Sequence, residues 1–212
     1  FAFLPLAKDV WILTADSVNL VAMPLFHIGG SGWATAGQYV GAASIIVRNI
    51  DPSALVKLIG QQRITHGFLV PVLLQFTLMV PDIDKADFSS LQLILYGASP
   101  ISDEVLAGSI KTYKCNFMQV YGLTETTGVV TMLPSEDHDL DGPNKHRLRS
   151  CGKPAPRVEL RIVDTETSKD MPLGEVGEIW LRSPQVMKGY WKMPEATAEA
   201  IVEGGWFRSG DV

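Results

Sequence analysis

The sequence predicts an α/β fold: a mainly parallel, helix-covered sheet followed by a smaller antiparallel β-rich piece. Three observations carry this. Short apolar, strand-like runs alternate with helix-compatible segments from about residue 18 to 121, as in a parallel sheet with crossover helices. Residues 134–157 then turn polar, with Pro143, Pro154 and Pro156 among them. Beyond them "VELRIVD" (158–164) and "GEIWLRS" (177–183) alternate as half-buried strands do, with a glycine-bearing turn region between.

Each element has a local reason. "VNLVAMPLF" (18–26) is a buried strand running into a glycine-rich turn, "HIGGSG". A small-residue helix is expected from about Trp33 to Val40, then the β-branched strand "ASIIV" (43–47). Asp51 is a good N-cap and Pro52 suits the first helical position, so a helix runs to about Arg63 with Leu55, Leu58 and Ile59 on one face. "HGFLV" (66–70) is the next strand, and Pro71 opens a helix that ends near Pro81. "LQLILY" (91–96) is a strand in which Leu91, Leu93 and Leu95 alternate with Gln92, Ile94 and Tyr96. Ser102 can cap the following helix, with Asp103 and Glu104 complementing the positive end of its dipole. "CNFMQVY" (115–121) is a further strand, and "PEATAEAI" (194–201) a short helix with proline at its start. These elements group as residues 1–133, an α/β subdomain; 134–157, a linker; and 158–212, a β-rich subdomain cut short at its C-terminal end.

Composition narrows the functional classes. The chain has 212 residues, a formal charge of −5 and a hydrophobic fraction of 46%, enough for a substantial core. No basic stripe points to nucleic acid. Cys115 and Cys151 lack metal-ligand spacing, and no secretory signal is visible, so a cytoplasmic location is expected. The longest apolar stretch, Gly67 to Val80, is too short to span a bilayer and is interrupted by Pro71, Gln75 and Thr77. The chain starts at Phe1 without a methionine and stops at "GWFRSGDV", just past a Gly-Asp turn, as a piece of a longer protein would.

In a parallel sheet, ligands sit beyond the carboxyl ends of the strands. Two loops fit that placement, "YGASP" (96–100) and "YGLTETTG" (121–128), and both would open on one edge. Their glycines would let backbone approach a ligand. Tyr121 offers a flat face for a purine, and Thr124 and Thr126 offer hydroxyl donors to phosphate oxygens. Glu125 is a hard oxygen ligand suited to Mg²⁺. The set suits a nucleoside triphosphate with its metal.

"YGASP", "YGLTETTG", "GEIWLRSPQVMKGYW" and "GWFRSGDV", in this order and spacing, resemble the adenylate-forming acyl-CoA synthetases. The likeness runs from "MPLFHIGG" to the last residues. It implies a large N-terminal domain of a ligase that makes an acyl adenylate from ATP and a carboxylic acid, with Mg²⁺, then an acyl-CoA thioester with coenzyme A. It further implies that Tyr121 and Gly122 lie against adenine, with Gly97, Ala98, Ser99 and Pro100 lining the other side of the base. Thr124 would bond a phosphate oxygen, Glu125 would bind Mg²⁺, and Asp211 would accept from the ribose hydroxyls. His27 would lie near the acyl group, with Trp33, Val70 and Gly97 as further acyl-pocket residues. His66, His138 and His146 find no partners in the sequence and read as structural or solvated.

Departures from the family pattern are informative. Ser209 stands where many relatives have threonine, which keeps the hydroxyl. The family's lysine-bearing phosphate loop is expected upstream of "MPLFHIGG", and "GGSG" (29–32) lacks the lysine. The small C-terminal domain with its catalytic lysine is expected after Val212, so the isolated piece is expected to be inactive. The apolar surroundings of "FHIGGSGW" favour a fatty or other hydrophobic acid. A peptide-synthetase-type adenylation domain would need an acidic anchor for an amino group, and none lies near residue 27. A non-catalytic binding module on the same fold is the rival from another class.

Overall fold

A computed structural model describes residues 2–212 of the protein. The chain order is α1 (Pro5–Asp9), β1 (Val18–Val21), α2 (Ile28–Val40), β2 (Ala43–Ile46), α3 (Pro52–Gln61), β3 (His66–Leu69), α4 (Pro71–Leu78) and β4 (Leu93–Gly97). Then come α5 (Asp103–Tyr113), β5 (Asn116–Leu123), β6 (Gly128–Leu133), β7 (Lys153–Pro154), β8 (Glu159–Val163), β9 (Glu178–Arg182), α6 (Pro194–Ala200), β10 (Ile201–Val202) and β11 (Trp206–Arg208).

The first sheet has the order β2-β1-β3-β4-β5-β6-β7. Strands β1 to β5 pair in parallel, while β6 and β7 join antiparallel. The second sheet, β10-β11-β9-β8, is antiparallel throughout. This is the α/β architecture that the alternating runs predict.

Strand β4 shows how the first sheet is held. Leu93 and Leu95 point into one apolar cluster with α1, α2 and the second sheet, through Trp11, Trp33, Leu181 and Phe207. Ile94 and Tyr96 point into a second cluster with α3, α4 and α5, through Leu55, Leu74 and Leu106. Both faces are therefore buried, as a central parallel strand requires. Within "LQLILY" only Leu93 and Leu95 share a face; Leu91, before β4 begins, packs in the cluster of Ile94 and Tyr96.

Local signals set the helix starts. Asp51 accepts the Ala54 N–H at 2.7 Å, and Ser102 accepts the Val105 N–H at 3.3 Å, so both caps sit where the sequence predicts them. Helix α2 begins five residues earlier than expected, at Ile28, and takes in the glycines of "HIGGSG". The reason is packing: a Cβ on Gly30 would lie 2.2 Å from the Pro24 carbonyl oxygen. The glycine lets the helix's first turn press against the preceding segment. It does not serve a left-handed turn.

The segment "GVVTML" (128–133) carries no expectation of its own in the sequence, yet β6 forms there and β5 continues to Leu123. The tyrosine motif is thus a β-hairpin: Tyr121 and Gly122 lie inside β5, and the turn proper is 124–127. Within residues 134–157, Lys153 and Pro154 pair with Met132 and Thr131 and extend the first sheet. No helix of the described residues is long and apolar enough to cross a membrane.

Candidate active site

The carboxyl ends of β1, β3, β4 and β5 open on one cleft of about 1390 Å³. His27 lines it from the start of α2, and Val70 from the end of β3. Ala98, Ser99 and Pro100 line it after β4, and Tyr121, Gly122, Thr124 and Glu125 along the hairpin. Asp211 enters from the end that follows β11. Ten of the residues singled out by sequence are thereby gathered around one space, from four strand ends and the second sheet.

Two candidates lie elsewhere. Gly97 sits inside β4 and does not line the cleft; a Cβ there would lie 2.0 Å from the Val120 carbonyl oxygen. Gly122 does line the cleft, but its Cβ would lie 1.9 Å from the Gly128 carbonyl oxygen. Both glycines are thus required by a neighbouring strand, not by a ligand's approach. Trp33 is buried and lines a separate small chamber behind the cleft.

The backbone leaves β4 through Ala98 at φ 66°. A non-glycine residue pays for the left-handed region with about 1–2 kcal/mol. That turn swings Ser99 and Pro100 into the cleft, so the strain falls where a ligand would be met.

Thr126 corrects a sequence expectation. Its side chain is buried, accepts the Leu123 N–H at 2.9 Å and donates to the Gly128 carbonyl at 2.8 Å. It closes the hairpin turn and has no hydroxyl to offer a phosphate. Thr124 is the exposed hydroxyl of the pair.

The Tyr121 hydroxyl donates to Asp211 Oδ2 at 2.5 Å. Burial, followed by this bond to a carboxylate, pushes the phenol's pKa well above its ordinary value. Tyr121 therefore stays a neutral donor and pins Asp211.

Glu178 is a residue the sequence reading missed. Only 4% exposed, it accepts Gly210 N–H on Oε1 at 3.0 Å and Trp180 Nε1–H on Oε2 at 2.8 Å, with Arg208 Nε at 3.3 Å. Burial opposes its charge, but the bonds from Trp180, Gly210 and Arg208 outweigh it and hold the carboxyl below its usual range. The Asp211 carbonyl also accepts the Ile179 N–H at 2.9 Å. The Asp211 turn is thus anchored to β9 on both sides. A carboxylate on the same strand face as Trp180 was the available signal.

Tyr190 was missed as well. Its hydroxyl donates to Glu125 Oε1 at 3.1 Å, and Met187 N–H donates to the Glu125 carbonyl at 2.7 Å. Thr127 donates to the Gln185 carbonyl at 2.6 Å, and Gln185 Nε2 donates to the Val129 carbonyl at 2.6 Å. The loop after β9 is laced to the hairpin that carries Glu125.

His138 and His66 have structural roles, while His146 is exposed. His138 places Nδ1 on the Pro134 carbonyl at 2.9 Å and Nε2 on the Tyr96 hydroxyl at 2.9 Å; burial lowers its pKa. His66 opens β3 and is fully buried within the sheet, with Nδ1 2.8 Å from the Thr65 hydroxyl.

The cleft's charges favour a metal-complexed anion. Asp103, Glu104, Glu125 and Asp211 line it, and Arg149 is its one lining cation among the described residues. Among the described residues no group of three or more potential ligand side chains could cage a metal. A single carboxylate such as Glu125 fits Mg²⁺, which takes one or two protein carboxylates and completes its shell with substrate phosphates and water.

A family model described as "AMP-binding enzyme" matches residues 2–191. The chain belongs to the AMP-binding enzyme family. It is 37% identical over 194 residues to the fatty acid–[acyl-carrier-protein] ligase ScoC of Streptomyces coeruleorubidus, covering 92% of this chain and 36% of that protein. It is 36% identical over 202 residues to the medium/long-chain-fatty-acid–CoA ligase FadD8 of Mycobacterium tuberculosis, covering 95% and 34%. The fold superposes on the amide bond synthetase McbA from Marinactinospora thermotolerans with a TM-score of 0.88 at 31% identity, covering 99% of this chain and 41% of that one. The chain therefore spans about a third of the length of these curated relatives, and as an AMP-binding enzyme segment it holds the cleft but not the whole enzyme's length.

Proposed function

We propose that the complete protein carrying this chain is an ATP-dependent acid–thiol ligase that acts on a hydrophobic carboxylic acid. The observation that carries this reading is the cleft itself. Tyr121 and Asp211 stand at one part of it, Ala98–Pro100 line it after β4, and Thr124 and Glu125 occupy the hairpin turn.

In this reading the adenine of ATP lies between Tyr121 and the 98–100 backbone, next to Gly122, while Gly97 stays inside β4 and lets the strands close behind the base. Asp211 accepts from the ribose; one oxygen already holds the Tyr121 hydroxyl, and that bond sets the direction of the other. Thr124 donates to a phosphate oxygen, and Glu125 holds Mg²⁺, which supplies charge neutralisation when bound. The substrate carboxylate attacks the α-phosphorus in line, pyrophosphate leaves, and an acyl adenylate forms. The coenzyme A thiol then attacks the acyl carbon and AMP leaves. This chain's residues contribute positioning and electrostatics to both steps. His27 and Val70 stand on the acyl side of the cleft, and Trp33 behind it.

The phosphate-loop lysine and the second catalytic lysine are assigned to other parts of the complete protein. In the division into 1–133, 134–157 and 158–212, residues of all three segments line the cleft, Arg149 among those of the middle one. A cytoplasmic location belongs to the same proposal. A carrier-protein thiol is the second reading for the acceptor, supported by ScoC's printed activity. A non-catalytic module is disfavoured by the gathered Tyr121, Thr124, Glu125 and Asp211.

The test is pyrophosphate release by the complete protein with ATP, Mg²⁺ and a panel of acids, followed by mass detection of the thioester. ATP-dependent release with a hydrophobic acid is expected. Silence across the whole panel would sink the enzyme reading.

A further inference from the structure

A small chamber of about 110 Å³ lies behind the cleft. It shares Gly29, Phe68, Ala98, Val120 and Gly122 with the cleft wall, so the two adjoin across one wall. Its inner wall is aromatic. Trp33 is 5% exposed and Trp11 2%, with ring centroids 5.6 Å apart, and Phe3 lies 6.5 Å from Trp11. The Trp33 indole N–H donates to the Leu20 carbonyl at 2.9 Å, which fixes the ring against β1. Among the described residues no charged side chain lines the chamber, and the Thr127 hydroxyl at its edge is engaged by Gln185.

We propose that Trp33 is the end-stop of the acyl site and that the protein selects a compact, uncharged acyl group of about six carbons or fewer over long-chain fatty acids. The inference rests on the ligase reading above and narrows its substrate class. The size argument is direct: the chamber is smaller than the ~150 Å³ void known to hold one benzene ring. An aromatic wall held by a hydrogen bond to Leu20 and a tilted ring contact with Trp11 does not swing aside as a lone side chain can. Burying a carboxylate or ammonium in this chamber would leave the charge unpaired. Dicarboxylic and amino acids are therefore excluded along with long chains.

The experiment uses the complete protein and straight-chain acids from butanoate to hexadecanoate. Wild-type kcat/KM for pyrophosphate release is expected to fall at least about ten-fold between hexanoate and decanoate. Trp33→Ala is expected to raise the decanoate-to-hexanoate ratio at least about ten-fold, and Trp33→Phe to keep the wild-type profile. Trp33→Leu, a milder truncation, is expected to shift the ratio in the same direction if the alanine variant is unstable. Equal use of hexanoate and decanoate by the wild type would overturn the proposal. So would an unchanged ratio in folded Trp33→Ala or Trp33→Leu. A separate readout distinguishes this failure from failure of the ligase reading: hexanoate binding should move the Trp33 indole N–H resonance without turnover, and decanoate should not. No shift with hexanoate overturns the end-stop even if another acid is activated; a shift without pyrophosphate release from any acid supports the chamber and removes the ligase reading.

Discussion

The hydroxyl of Tyr121 and the carboxylate of Asp211, ninety positions apart in the chain, meet at 2.5 Å across the junction of the two sheets. The bond joins the strand that leads into the hairpin with the turn that follows β11. One aromatic ring and one carboxylate are thereby fixed as a unit before any ligand arrives.

Removing the two partners should have unequal effects. Tyr121→Phe keeps the ring and loses one neutral donor, so nucleotide affinity should change by less than about five-fold. Asp211→Ala loses a charged acceptor, and affinity should fall about ten- to hundred-fold. Calorimetric titration of the complete protein with ATP separates the two; equal losses would show that the carboxylate acts only as long as the phenol holds it.

Glu178 should matter without touching a ligand. In Glu178→Gln one accepting oxygen becomes an N–H donor that faces either Gly210 or Trp180, both of which are donors. A loss of about 1–3 kcal/mol is expected in urea unfolding. ATP affinity should fall in parallel because Asp211 adjoins the released Gly210. A fully stable variant with wild-type affinity would show that the Asp211 turn holds itself.

His66 sets a pH dependence of stability. Burial lowers its pKa from 6.5 to about 4. Between those values the unfolded chain takes up a proton that the folded one refuses, so stability rises with pH in that window. The contribution is whole above about pH 6.5 and is lost as pH falls toward 4, by up to about 3 kcal/mol. Unfolding free energies measured from pH 7 to 4 should show a shallower slope in His66→Gln than in the wild type.

Glu125 should control metal dependence. Glu125→Gln keeps an acceptor for the Tyr190 hydroxyl but loses the charge. The Mg²⁺ concentration needed for half-maximal ATP binding should rise about ten-fold, a loss of about 1.4 kcal/mol, the scale of one charged contact. AMP binding without Mg²⁺ should stay within about two-fold of wild type on the same scale. A fluorescence titration of both nucleotides checks this, and an unchanged Mg²⁺ requirement would take the glutamate out of the metal's reach.

What could be read in the sequence was what depends on near neighbours. Asp51 and Ser102 announce their helices because a cap is satisfied within three residues. Two of the four strand ends around the cleft, those of β4 and β5, were also legible, since a parallel sheet puts its loops at one edge. What escaped depends on distant partners. The run "GVVTML" becomes a strand because β5 continues past the tyrosine and pairs with it. Glycines 97 and 122 look like ligand contacts, yet each is set by a carbonyl on the adjoining strand. Tyr190 and Glu178 reach the site from the second sheet and its loop, Tyr190 sixty-five residues from Glu125 and Glu178 thirty-two residues from Gly210, so no short motif links them to their partners.

The lacing of the 185–190 loop to the hairpin has a mechanical consequence. Met187 grips the glutamate's own carbonyl, while Thr127 and Gln185 clasp each other's strands from either side. Sliding one sheet over the other would drag the acidic turn with it, and a cargo clamped by that turn would resist the slide. The small sheet is thereby tied to the carboxylate's turn, and a ligand held by that turn should stiffen the layers against shear.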